Sequence, residues 1–141
     1  MTTEGLSDEI YSVDLLTMQF TKLKLDETEC KLPKLEHHAT VVIADRLLFI
    51  IGGRTYKSPS SKQTVFSSDM YVIDLVTNKV SCQSMPFELL GHAACAINDQ
   101  FILLYGGWNG NTMLTYFIRY EIQEPDPTCR WTRMLRIPET I

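Results

Sequence analysis

The sequence contains no run of apolar residues near the roughly 18 that a membrane-crossing helix needs, and residues 1 to 9 supply neither a basic head nor an apolar stretch. A secretory leader and a membrane partner are therefore not expected, and a cytoplasmic location is, with the nucleus as the other option. Basic charge is also scarce. Lys and Arg number 13 against 17 Asp and Glu, for a formal charge of −4, which argues against nucleic acid as the main ligand. The four cysteines, Cys30, Cys82, Cys95 and Cys129, are scattered with no Cys-x-x-Cys pair, so zinc and redox chemistry lack their usual spacing and free buried thiols are expected.

Helical periodicity is missing too. Its nearest candidate, Phe87 to Leu90, is short and closed in by Pro86 and Gly91, which fits a connector. No carboxylate pair, nucleophile with a base, or phosphate loop can be found. Gly106 to Gly110 is glycine-rich, but it follows one apolar strand and precedes another, where a nucleotide cradle would lead into a helix. No cofactor, metal ligand or catalytic residue is expected.

What is present is repetition. Pro33 to Gly53 is nearly restated from Pro86 to Gly107: His38 and His92 lie 54 residues apart (92 − 38), as do Gly52-Gly53 and Gly106-Gly107 (106 − 52). A second element repeats at a shift of 60 (69 − 9), in which Glu9 to Phe20 matches Asp69 to Val80. In both copies a strand runs into Asp14 or Asp74 and turns through Leu-x-Thr, as short polar side chains that bond nearby backbone allow. Ordered along the chain, these elements predict strands at Ala39–Ala44, Leu47–Ile51, Met70–Leu75 and Val80–Gln83, then at Ala93–Ile97, Phe101–Tyr105, Leu114–Tyr120 and Arg130–Leu135. The apolar runs in the first two strands of each set imply sheets covered on both faces. Between Arg54 and Ser68 the spacing predicts a long polar loop, and between Glu121 and Thr128 a stiff acidic one.

Gly52-Gly53 and Gly106-Gly107, followed by Asp69, Tyr71 and Asp74 on the next strand, resemble the kelch repeat. Trp131 fits the aromatic that opens a kelch fourth strand if the acidic loop before it is an insertion; Val80 stands at that place in the other copy. The resemblance implies an all-β fold of kelch-type β-propeller blades, each of four antiparallel strands, in an incomplete ring. Residues 1–31 would be the C-terminal half of a blade, 32–84 and 85–137 two whole blades, and 138–141 the start of a further unit or a tail. A chain so divided is expected to be a piece of a longer propeller, or else a protomer whose copies close the ring. His38 and His92 are expected to make a structural hydrogen bond to a neighbouring loop.

The resemblance also implies a non-catalytic protein-interaction module, a scaffold or a substrate-recognition propeller, whose ubiquitin-ligase or actin link would lie outside this chain. The alternative it leaves open is part of a propeller enzyme, an oxidase or a sugar epimerase, although Tyr105, Tyr116 and Tyr120 alternate with apolar residues as packing does. The expected partner is a protein or peptide, with an acidic one suited to Arg54, Tyr56, Lys57, Lys62 and Phe66 of the long loop and to Trp108 and Asn109 of the next unit. Phosphate on Ser58, which precedes Pro59, would reverse the local charge of that loop.

Overall fold

The computed structural model describes residues 5–136; the expectation for residues 138–141 lies outside them. In chain order the strands are β1 (Tyr11–Asp14), β2 (Gln19–Lys22), β3 (Leu35–Glu36), β4 (Ala39–Ile43), β5 (Leu47–Ile51), β6 (Arg54–Tyr56) and β7 (Thr64–Phe66). They continue with β8 (Asp69–Asp74), β9 (Lys79–Ser84), β10 (Ala93–Ile97), β11 (Phe101–Tyr105), β12 (Tyr116–Glu121) and β13 (Trp131–Arg136). Two four-stranded antiparallel sheets, β4-β5-β8-β9 and β10-β11-β12-β13, form the blades, and β1-β2 is a separate hairpin. The ring they begin is not closed.

The region expected to be loop, 54–68, is instead folded back as β6 and β7. With β3 they make a small third sheet, in which Glu36 faces Arg54 and Arg54 faces Phe66.

Side-chain alternation decides how the blades stack. Val41, Ile43, Phe49, Ile51, Met70 and Val72 share one face of the central sheet and bury against Ile102, Leu104, Ile118 and Tyr120 of the last sheet. Met85 and Leu89, from the connector between the blades, fill the seam. Fully burying an aliphatic side chain of this size contributes about 1.5–3 kcal/mol, so this seam dominates the stability of the pair. The other face of the central sheet, with Ile50, Tyr71, Ile73 and Val80, is capped by Leu32, Leu35 and partly buried Ile10, Leu25 and Cys30. Coverage of that face fails at the inner strand, where Val42 is 47% exposed, and on the outer strand, where Cys82 is exposed.

Positions 54 later, Cys95, Ile97, Leu103 and Tyr105, occupy the same places on the last sheet as Val41, Ile43, Phe49 and Ile51 do on the central one, yet among the described residues no sheet covers them. This corrects two expectations. Apolar runs did not guarantee two covered faces, and Cys82, Cys95 and Cys129 are exposed thiols; all four cysteines are free.

The turns follow from the backbone. Ala44 and Asp45 in the β4–β5 turn, like Asn98 and Asp99 in the β10–β11 turn, all have positive φ, between 52° and 55°. With the Arg46 and Gln100 amides donating back to the Ile43 and Ile97 carbonyls, this is a left-handed turn that Asn and Asp adopt more readily than Ala. Asp99 Oδ1 also accepts a hydrogen bond from the Ala44 amide at 3.0 Å, joining the inner turns of the two blades. At the outer turn Asp74 accepts the Val76 amide and both arms of Arg46, with Nη2 to Oδ2 at 2.7 Å, and the Arg46 bonds hold its carboxyl well below the usual range, near about 2.

Because Ala44 sits where its counterpart is Asn98, Ala44→Asn should raise the urea unfolding midpoint and Asn98→Ala should lower it, each by the equivalent of about 1 kcal/mol. Equilibrium unfolding of the two variants checks this.

Candidate functional site

Of the expected motif residues, Gly52, Gly53, Gly107 and His92 meet where one blade joins the next. Gly52 and Gly53 end β5 with φ of 65° and 95°, and Gly106 and Gly107 end β11 with 72° and 84°. Those values are open to glycine, which lacks a Cβ. A Cβ at Gly52 would lie 2.3 Å from the Leu89 carbonyl oxygen and 3.0 Å from His92 Cε1. The amide of Gly53 then donates to that same Leu89 oxygen at 2.7 Å. The second glycine of each pair instead makes room within its own blade: Gly53 for His38 and Gly107 for His92, each Cβ contact being 2.9 Å.

His92 is 8% exposed and neither ring nitrogen reaches a hydrogen-bond partner, so the expected hydrogen bond is not the role its ring plays. Burial lowers its pKa to about 4; the Ile51 backbone beside the ring pulls the other way but does not reach hydrogen-bond geometry. Its neutral ring acts as a wedge between Gly52 and Gly107. His38, by contrast, is exposed.

Asp69 and Tyr71 lie on β8, where the Tyr71 hydroxyl donates to Asp69 Oδ2 at 3.4 Å and burial raises the phenol's pKa. Trp131 pairs with Tyr120 in the register in which Val80 pairs with Ile73, and its ring packs on those of Phe87 and Tyr120, with centroids 5.1 and 4.5 Å apart. The acidic segment before it, with a 3-10 turn at Pro127–Cys129, is thus an insertion between β12 and β13.

The seven residues expected to meet a partner separate into two groups of three, with Arg54 apart from both. Phe66 lies against Gly110, where a Cβ would be 3.4 Å from its ring, so it joins the loop of Trp108 and Asn109. There Trp108 exchanges both backbone bonds with Leu90, and Asn109 Oδ1 accepts the amides of Asn111 and Thr112 at 3.0 and 2.9 Å. Asn109 therefore shapes its own turn. Arg54 is committed elsewhere: its guanidinium is paired with the Glu36 carboxylate across β3–β6.

Tyr56, Lys57 and Lys62 stand together at the far end of the β6–β7 hairpin. Opposite them the structure brings Lys31, Leu32, Pro33 and Lys34, which sequence reasoning had not included, and the two segments enclose a groove of about 560 Å³. The missed signal was topological. β4 begins at the end of the blade where β5 finishes, so the residues leading into β3 and β4 must share an edge with the hairpin that follows β5. Among the described residues no group of three His, Cys, Asp or Glu side chains is placed to hold a metal ion.

The wedge at His92 has a pH signature. Its folded pKa lies below the unfolded value near 6.5, so as pH falls the unfolded state takes up the proton first and the fold loses stability from about pH 6.5 down to about 4. Urea midpoints should fall across this window, and His92→Gln should flatten the part of the curve above pH 5; an unchanged slope would remove His92 from the account.

No protein-family model matches the chain. Similarity to curated proteins does extend along it. The chain is 27% identical over 146 residues to Kelch domain-containing protein 10 of Rattus norvegicus, covering 96% of the chain and 33% of that protein. The Mus musculus protein of the same name also matches at 27% over 146 residues, 96% of the chain and 30% of that protein. A 109-residue stretch is 31% identical to tRNA wybutosine-synthesizing protein 4 of Candida albicans, covering 77% of the chain and 14% of that protein. The chain thus spans a third or less of the length of the curated relatives it matches. The four-stranded sheets recurring at a fixed period, the double glycines Gly52-Gly53 and Gly106-Gly107 that follow β5 and β11, and this similarity along nearly its full length point to the kelch-repeat family.

Proposed function

We propose that the chain works as a non-catalytic protein-interaction module, holding a protein or peptide partner at the edge formed by the β6–β7 hairpin and the Trp108 loop. The observation that carries this reading is the hairpin itself. A polar insertion left as an open loop would lose much entropy on binding. Here it is ordered in advance by pairing with β3 and by the Lys57 amide donating to the Gln63 carbonyl at 2.8 Å, and the Leu6 amide anchors it by donating to Tyr56 Oη at 3.2 Å. A rigid projection carrying an aromatic ring and cations suits recognition.

The general use of kelch repeats in protein interaction supports the same reading. A scaffold or substrate-recognition role, with a ubiquitin-ligase or actin connection made by other segments, is the specific form proposed. The match to the wybutosine-synthesizing protein covers 14% of its length, and nothing of the activity its name describes is carried over.

Photo-crosslinking tests the reading. With p-benzoylphenylalanine placed in turn at Tyr56, Lys62 and Trp108, one common partner should be captured from cell extract, whereas the same group at Leu16, on the exposed β1–β2 turn, should not capture it. A partner captured equally from Leu16, or none from the three edge positions in a folded chain, would overturn the reading.

A further inference from the structure

The groove between residues 31–34 and 55–62 carries a specific chemical preference. Its lining contains Lys31, Lys34, Lys57 and Lys62 and no Asp or Glu, in a chain whose formal charge is −4. All four lysines are exposed. Among the described residues the ion pairs join Lys22 to Glu9, Arg46 to Asp74, Arg54 to Glu36 and Lys79 to Glu29, and none uses a groove lysine. Glu9 has its pKa lowered chiefly by its hydrogen bond with Lys22; Lys34 makes the smallest contribution to that shift. Four like charges around one hollow repel each other, and a negative ligand relieves that repulsion.

From this we infer that the groove binds an extended acidic peptide, with carboxylates spaced along it to meet lysines on both walls. The inference rests on the protein-interaction reading above and gives the partner its chemistry. Two lysines come from each of the two segments, and Pro33, Tyr56 and Pro59 share the lining, so the groove offers a peptide apolar surface as well as charge. Ser58, Ser60 and Ser61 add hydroxyl donors on the hairpin side. Lysine is a compact point charge without the planar fork that grips one phosphate in two places, and no arginine lines the groove. Duplex DNA is a poorer fit. A duplex needs a concentrated basic surface, whereas the chain carries a net charge of −4 and its other hollow mixes Lys22 and Lys24 with Asp8, Glu9 and Glu27.

The test uses the full chain and a fluorescein-labelled peptide of alternating Glu and Gly, with a Gln-Gly peptide and a short duplex DNA as comparisons, read by fluorescence anisotropy. The Glu peptide should bind, the Gln peptide should bind about tenfold more weakly, and added salt should weaken the former alone. Lys57→Glu with Lys62→Glu, and separately Lys31→Glu with Lys34→Glu, should each lower affinity at least about tenfold, while Lys24→Glu outside the groove leaves it unchanged. Ser58→Asp should also weaken binding, since it places a negative charge on the groove wall. Failure of the Glu peptide to bind, equal binding of the Gln peptide, indifference to both double reversals, or tighter binding of the DNA would each overturn the inference. If the crosslinking experiment still captures a partner, the interaction module stands and only the acidic preference is lost; if both fail, so does the module.

Discussion

One carbonyl oxygen sets the spacing of the two blades. The Leu89 oxygen sits in the space a side chain would take at Gly52 and accepts the amide of Gly53. Everything in the seam is adjusted to that approach. Leu89 and Met85 can fill the gap between sheets because the connector is pinned there, and His92 can lie buried without polar partners because its ring has been drawn in with it. Packing at this density tolerates little displacement. Hydrophobic burial supplies most of the energy, and the double glycine determines which surfaces meet.

The same junction fixes the edge proposed to hold a partner. Once β5 ends at Gly53, the chain leaves the blade as β6, and the Ser67 amide returns to bond the Gly53 carbonyl at 2.8 Å. The excursion between is therefore closed at its root. β3 joins it from the preceding connector, and the Arg54–Glu36 pair holds the two together across the strands. The lysines of the groove stand on this small sheet and its approaches, outside the blade proper. The insertion is ordered because both of its ends are tied to the repeat.

Much of this was legible in the residues. The 54-residue register located the blade strands to within about two residues at their ends, because apolar runs bounded by polar turns mark buried strands. The double glycines and Asp74 were recognisable for the turns they make. The small sheet was not, since strands of two and three mostly polar residues, Leu35–Glu36, Arg54–Tyr56 and Thr64–Phe66, carry too few positions for any period to show. Lys31 and Lys34 were missed because only the topology brings them opposite Lys57 and Lys62. The role of His92 was misjudged for a similar reason: its recurrence signalled constraint, but whether a buried imidazole bonds or merely fills space depends on its contact with Gly52 in the other blade.

The central sheet is covered on both faces and the last sheet, among the described residues, on one. In a stack where each layer touches only its neighbours, stability adds up layer by layer. Amide protons of β5 and β8 are then held by two interfaces and those of β10 and β11 by one. The molecule has a slow-exchanging middle and a faster-exchanging flank, and its first opening under mild stress frees β10 and β11 before any part of the central blade.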